Sequence, residues 1–460
     1  MPFRLFGRNF ARAFSVWPHS YTIARTKALI QPMMTNSKQM ALLALQHALE
    51  TTGSMYDNLG IPFEQIMHVG KIYSNSSSVI AKMESQNIIC VPNTALKNIT
   101  DYEENITYDA KQALEQFKNM LKEKCLNKVI VLCDGANILN MISREQLSNE
   151  LGYPVYVVGI EQTTYGIQKL VQKQFDFPVI QVAQSAAKTL LESYLIAETV
   201  VNKIKQRGYL ARFPLPTIGV VGRGSIGNKI VQILLQQGIT PNVFEIDELK
   251  CPVNGVKYMP HMQDLILNSD IIIGCTYADV TKYLDFDNLF SMMRSNKIFI
   301  NAASNDAPFR TLLKKLFSQK KIAQDIIDPF KDQIFEICAD KKIIMRPFPI
   351  NFDDSGVSVA HNKIALTRAL LMLAVGQSAL LLNDYPEYET LSGLFIKLSP
   401  EGQKQIIDAW IQENPEQIDL QPIVKECDIS YLEKYSLGID YYHPLLVNNE
   451  ISKKGVIPFY

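Results

Sequence analysis

The sequence predicts an α/β protein built on two doubly wound parallel sheets, and three observations predict it. A chain of 460 residues is too long for one compact core. Short apolar runs rich in β-branched residues alternate with amphipathic segments, in two successive blocks. The second block contains "VVGRGSIGNKI" (220–230), where Gly222, Gly224 and Gly227 stand in G-x-G-x-x-G spacing between an apolar run and a helical pattern. That is the position at which a nucleotide-binding turn is needed, so the second unit is expected to be a Rossmann domain.

Residues 1–27 form a basic tail. The first 49 residues carry Arg4, Arg8, Arg12, Arg25, Lys27 and Lys38 and no acid, interleaved with Phe3, Phe6, Phe10 and Phe14. A tail lying on the protein's own surface is favoured over an organelle-import segment. A substrate-type domain follows over 28–205, its strands expected at "KVIVLC" (128–133), "PVYVVGI" (154–160) and "FPVIQV" (177–182). His47 falls on a helical face and His68 before a turn. From Ser185 a long helix runs to a stop at Gly208.

The Rossmann domain spans 206–355. Strands are expected at 216–221, 242–247, 269–275, 297–301 and 341–345. A helix over Ser225–Gln237 presents Ile226, Ile230, Ile233 and Leu234 on one face, and Gly238 ends it. The apolar segment 365–382 would suit a membrane span by length, but Arg368 and Gln377 interrupt it, so 361–384 is read as a buried helix rejoining the first domain. Residues 385–460 form a C-terminal extension, with a helix starting at Ser399-Pro400-Glu401 and an irregular remainder.

Lysine plus arginine equals aspartate plus glutamate, 46 each. This balance gives no electrostatic ground for nucleic acid or a membrane as partner. Seven scattered cysteines without C-x-x-C spacing indicate neither disulfides nor a metal site, and fit a reducing, cytoplasmic setting.

The glycine turn has a physical logic. Gly222 permits the tight turn, Gly224 leaves room for phosphates, and Gly227 lets helix and strand pack closely, while Ser225 and Ile226 open the helix whose free N–H groups face the pyrophosphate. Glu245, with Asp247 beyond it, ends the second strand where a carboxylate binds the adenosine ribose hydroxyls. A carboxylate there repels a 2′-phosphate, so NAD is the expected cofactor. Arg223 either reaches a phosphate or points at solvent.

The blocks "GIEQTTYGIQKLVQ" (159–172), "FPVIQVAQSAAKTLLES" (177–193), "GRGSIGNK" (222–229) and "VFEID" (243–247), with "KIYSNSSSVIAK" (71–82) and "VLCDGANILN" (131–140), resemble the S-adenosylhomocysteine hydrolase family over about 28–384. The resemblance implies that Thr163, Thr164 and Tyr165 touch NAD, that Asn351 meets the nicotinamide amide, and that Gln162 replaces a substrate-binding glutamate. It also implies losses: Leu190 stands for a lysine, Ser304 and Met33 for histidines. Asp134, Lys188, Glu192 and His361 remain as the candidate catalytic groups. Family members are homo-oligomers, so a dimer or tetramer is implied, with Lys453 or Lys454 and Tyr460 as loose counterparts of residues that reach a neighbour's cofactor.

Losing these groups argues against hydrolysis of S-adenosylhomocysteine, because few side chains able to move protons near neutral pH are left. The favoured expectation is a divergent NAD-dependent enzyme doing redox chemistry on a small nucleoside-like or hydroxylated metabolite. The alternatives are a non-catalytic descendant that keeps NAD as a structural or sensing ligand and binds a protein partner, and a genuine adenosylhomocysteinase.

Overall fold

The computed structural model describes residues 17–96, 102–247, 254–303, 307–319, 328–338, 341–353, 355–417 and 420–440. Residues 1–16 of the expected tail, Ser304, Lys453, Lys454 and Tyr460 lie outside these residues, while the rest of that tail enters the helix Tyr21–Ile30. Two seven-stranded sheets organise the chain.

The first sheet uses β1 (Met40–Ala48), β2 (Ile66–Asn75), β3 (Ile89–Val91), β4 (Lys128–Cys133), β5 (Tyr156–Glu161) and β6 (Val179–Gln181), completed by β14 (Phe395–Lys397). Their order is β14-β6-β5-β4-β1-β2-β3, and every pair is parallel. The second sheet uses β7 (Ile218–Val221), β8 (Asn242–Phe244), β9 (Lys257–Tyr258), β10 (Ile271–Gly274), β11 (Lys297–Asn301), β12 (Gln333–Cys338) and β13 (Lys341–Arg346). Its order is β12-β13-β11-β10-β7-β8-β9. Only the β12·β13 pair is antiparallel, among the described strands. In both sheets the strand order reverses beside the first strand, at β1/β4 and at β7/β10. Ligands of open α/β sheets bind at such switch points, beyond the carboxyl ends of the strands. The fold is therefore two doubly wound domains, the second Rossmann-like, with further helices towards the C-terminus.

Parallel strands covered on both faces need continuous apolar runs rather than alternation. β1, "MALLALQHA", is such a run, and Leu42 pairs with Ile66 on one side and Ile130 on the other. This corrects the helical face expected for His47, which lies near the end of β1, an interior strand of the first sheet. His68 likewise sits within β2 and is fully buried. The second strand of the Rossmann domain is shorter than expected and stops at Phe244, so Glu245 follows its end.

The helix His361–Asn383 is the core of the first domain. It is the one helix among the described residues long and apolar enough to cross a membrane, and its apolar window is 100% buried inside the molecule. It packs against β4 and β5 and against the helices Tyr21–Ile30 and Pro400–Glu413. Close approach is possible because Gly376 faces Ile30, and Gly402 faces Leu373, where a Cβ would come within 2.5 Å of a leucine methyl carbon. The stretch after 384 differs from its expected irregularity. It holds helices at Tyr385–Leu391, Pro400–Glu413, Gln421–Glu426 and Ile429–Tyr435, together with β14, which pairs with β6.

Helix formation near Ser185 is also less regular than its periodicity suggests. Lys188–Glu192 forms one π-turn before the α-helix Ser193–Gln206, and that helix ends before Gly208, whose φ of 68° stops it. Single π-turns widen a helix locally and recur at functional sites.

Candidate functional site

The glycine turn opens from β7 as its spacing demands. Gly222 has φ 87°, a conformation that side chains with a Cβ resist. At Gly227 a Cβ would lie 2.0 Å from the Gly222 carbonyl oxygen, so only glycine lets the helix Ser225–Gln236 start this close to the strand. Gly224 is the opposite case, since nothing lies within 4 Å of its added Cβ. That open backbone beside a helix N-terminus is the room a pyrophosphate requires.

Glu245 is anchored beside the turn. Its carboxylate accepts the Arg223 backbone N–H at 2.5 Å and the Asp247 N–H at 3.0 Å, while the Tyr258 hydroxyl donates to its carbonyl. Arg223 does not point at solvent: it is buried and donates from Nη2 to Asn228 Oδ1 at 2.5 Å.

A cavity of about 500 Å³ runs between the two sheets. From the second sheet Gly224, Ser225, Ile226 and Asn351 reach it, and from the first Asp134, Gln162, Thr163, Thr164, Tyr165, Lys188 and Glu192. Gly222, Gly227 and Glu245 stand behind this wall. His361 is not part of it: at the start of its helix it pairs through Nε2 with Glu50 Oε2 at 3.2 Å. Met33 is buried in the apolar core.

Asp134 follows the end of β4 and gathers three donors. Lys71 Nζ and Gln162 Nε2 make very short contacts with its two oxygens, and His47 Nε2 lies 3.0 Å from Oδ2. Burial alone would raise its pKa, but the Lys71 ammonium, then His47, holds this carboxyl well below the usual range. Burial works against the Lys71 ammonium too, and Asp134, with Tyr102 and Glu161, more than restores it. Because Asp134 is an acceptor, His47 carries its proton on Nε2, and Nδ1 accepts from Ser74 Oγ at 2.6 Å. Both ring nitrogens are thus engaged, and the His47 ring stacks on Phe352 at 4.3 Å. Burial pushes the pKa of His47 down to about 4.

Three consequences follow for ligand chemistry. First, Gln162 is locked through its amide nitrogen and leaves a buried Oε1 without a partner, ready to accept a ligand hydroxyl. Second, Lys188 and Glu192 pair at 2.5 Å across the π-turn and keep about 15% of their side chains accessible, so a proton can pass between this pair and a ligand. Third, Glu161 lies behind the wall, accepting N–H groups of Gly135, Ala136 and Thr163 and the Thr163 hydroxyl, which positions the Thr163–Thr164 turn. Burial pushes the Glu161 carboxyl up to about 7, against those donors.

His47, Lys71 and Arg368 are cavity or near-cavity residues that sequence reasoning did not nominate. They come from β1, β2 and the long buried helix. The only sequence signal is a basic side chain inside an otherwise apolar run.

Fold and site together define a two-domain α/β protein with a NAD-binding Rossmann domain. Residues 196–350 match the family model described as D-isomer specific 2-hydroxyacid dehydrogenase, NAD binding domain. Two uncharacterized proteins of Mycobacterium tuberculosis, from strains CDC 1551 / Oshkosh and ATCC 25618 / H37Rv, are each 25% identical over 360 residues, covering 77% of this chain and 67% of the relative. Among solved structures, the apo D-lactate dehydrogenase from Escherichia coli is 15% identical, covering 60% of this chain and 79% of that one, with a TM-score of 0.30. The NAD-dependent formate dehydrogenase from Staphylococcus aureus in complex with NAD is 14% identical, covering 61% and 90%, with a TM-score of 0.31. Such loose superpositions add no weight to the family match.

These comparisons correct the expected kinship with S-adenosylhomocysteine hydrolases: the matching family model is that of the 2-hydroxyacid dehydrogenases. Part of the sequence likeness rested on the glycine turn and Glu245, which Rossmann domains share whatever their substrate. The cofactor is NAD. The glycine turn, the anchored Glu245 and the open space over Gly224 fit it.

Proposed function

We propose that this protein transfers a hydride between NAD and a small hydroxylated molecule, a hydroxy acid being the class that the family match supports. One observation carries the proposal. A single cavity joins the glycine turn and Asn351 to the unpartnered Gln162 Oε1 and the Lys188–Glu192 pair.

NAD, when bound, supplies the hydride acceptor. The chain supplies the rest. The Gly224 backbone and the start of the helix Ser225–Gln236 take the pyrophosphate, Glu245 the adenosine ribose, and Asn351 the nicotinamide amide. The substrate hydroxyl donates to the Lys188–Glu192 pair, and the Glu192 carboxylate takes its proton as the carbon is oxidised. Gln162 Oε1 accepts from a second hydroxyl where the substrate carries one. His47, held at both nitrogens, fixes Asp134, and Asp134 fixes Gln162.

The test is absorbance of the reduced nicotinamide when the purified full chain and NAD meet a panel of small hydroxy acids and neutral alcohols. At least one compound is expected to reduce NAD, and Lys188→Met to slow that reduction at least ~100-fold with NAD binding unchanged. Tight NAD binding with no reduction by any compound would instead leave NAD a structural or sensing ligand.

A further inference from the structure

The helix His361–Asn383 is apolar throughout its buried length except for a few polar side chains, of which Arg368 is the most costly to bury. It is 3% exposed and lies on the first-domain wall of the cavity, outside the residues that match the family model. Its two contacts are long and neutral: Nε to Thr51 Oγ1 at 3.3 Å and Nη1 to Gln46 Oε1 at 3.4 Å. The nearby carboxylates have other partners. Glu192 is paired with Lys188, and Asp134 with Lys71, His47 and Gln162. No carboxylate of a described residue forms an ion pair with Arg368.

A buried charge with no opposite charge in contact is costly. A buried guanidinium that no carboxylate touches therefore calls for a ligand that supplies one. The surroundings point the same way. Thr367, the neighbouring residue on the cavity wall, has a buried hydroxyl without a partner, and Gln46, bonded to Arg368 through its oxygen, has a buried Nε2 without one. Guanidinium, amide and hydroxyl all offer hydrogens. A planar fork of N–H groups with neutral donors beside it matches an oxyanion.

We infer that Arg368 is the specificity-determining residue of this cavity, reading an oxyanion on the substrate, a carboxylate or a phosphate monoester. The inference rests on the proposed hydride transfer for its second half only. The oxyanion would sit on Arg368 while the reacting hydroxyl is held at the Lys188–Glu192 pair. A neutral sugar or nucleoside would leave the guanidinium uncompensated and would bind poorly.

Calorimetry on the NAD-loaded full chain tests this with paired probes: glycolate against glycolamide, lactate against lactamide, and glycerol 3-phosphate against glycerol. Wild type is expected to bind at least one charged probe at least tenfold more tightly than its neutral partner. The charged member that gains shows whether carboxylate or phosphate is the source. Arg368→Gln is expected to abolish that preference with NAD affinity unchanged, and Arg368→Lys to keep part of it. A wild type without the preference, including one that binds neither member of every pair, overturns the inference. So does an Arg368→Gln variant that keeps it, or one that weakens NAD itself. Because the wild-type comparison stands alone, a variant that fails to fold does not remove the test. NAD titration without probes reports separately on the cofactor site, so failure there is distinguishable from failure at Arg368.

Discussion

Gly224 and Gly227 stand three positions apart, yet their substitution separates binding from folding. Gly224 has φ −65° and ψ −169°, extended backbone that alanine adopts, and open space beyond. Gly224→Ala is expected to fold with an unchanged melting temperature and to lose at least ~10-fold in NAD affinity by calorimetry, because its methyl group fills the phosphate cradle. Gly227→Ala puts a methyl group 2.0 Å from a backbone oxygen, which only movement of helix or strand relieves. It is expected to lose about 2 kcal/mol or more in urea unfolding. The turn was legible in sequence because its roles are encoded at fixed local spacing. The cluster around Asp134 was not. His47 lies on β1, Lys71 and Ser74 on β2 and Asp134 just after β4, and only the pairing of these strands brings them together. Arg368 was visible as an interruption of an apolar run, but its place on the cavity wall was not.

Among the elements, those with β-branched residues between turn signals were read directly, β4, β5, β7, β10 and β11 among them. β1 was not, because "MALLALQHA" is rich in alanine and leucine, good helix formers, and a strand buried on both faces lacks the alternation that would reveal it. β12 escaped as the antiparallel edge of a parallel sheet. The long buried helix was recognised, and its interior sets a measurable cost. Leu370 is fully buried on it, so Leu370→Ala is expected to destabilise the protein by about 2–5 kcal/mol, read as a lower urea midpoint with an unchanged slope. The same change on a helix packed only at one face would cost less.

At the scale of the whole molecule, buried histidines set how stability responds to acid. His47 and His68 are pushed by burial from 6.5 to about 4 and about 3. Between pH 6.5 and 4 the unfolded chain therefore binds more protons at both, and stability falls as pH falls. Glu161, raised by burial from 4.5 to about 7, binds its proton more readily in the folded state and offsets one of them between pH 7 and 4.5. The sum is a loss of roughly 3 kcal/mol from pH 6.5 to 4, seen in urea midpoints across that range. His68→Gln, which leaves one histidine against Glu161, is expected to make the profile nearly flat. Asp134, held well below its usual range, adds its own loss only at still lower pH.

The first sheet is not finished until β14, residues 395–397, lies beside β6, and its central helix begins only at His361. During synthesis the Rossmann domain, continuous in the chain, has all its strands outside the ribosome before its companion has a core. Until then the apolar faces of β4 and β5 await a cover that has not been made, and a nascent chain stalled before residue 361 presents them to chaperones.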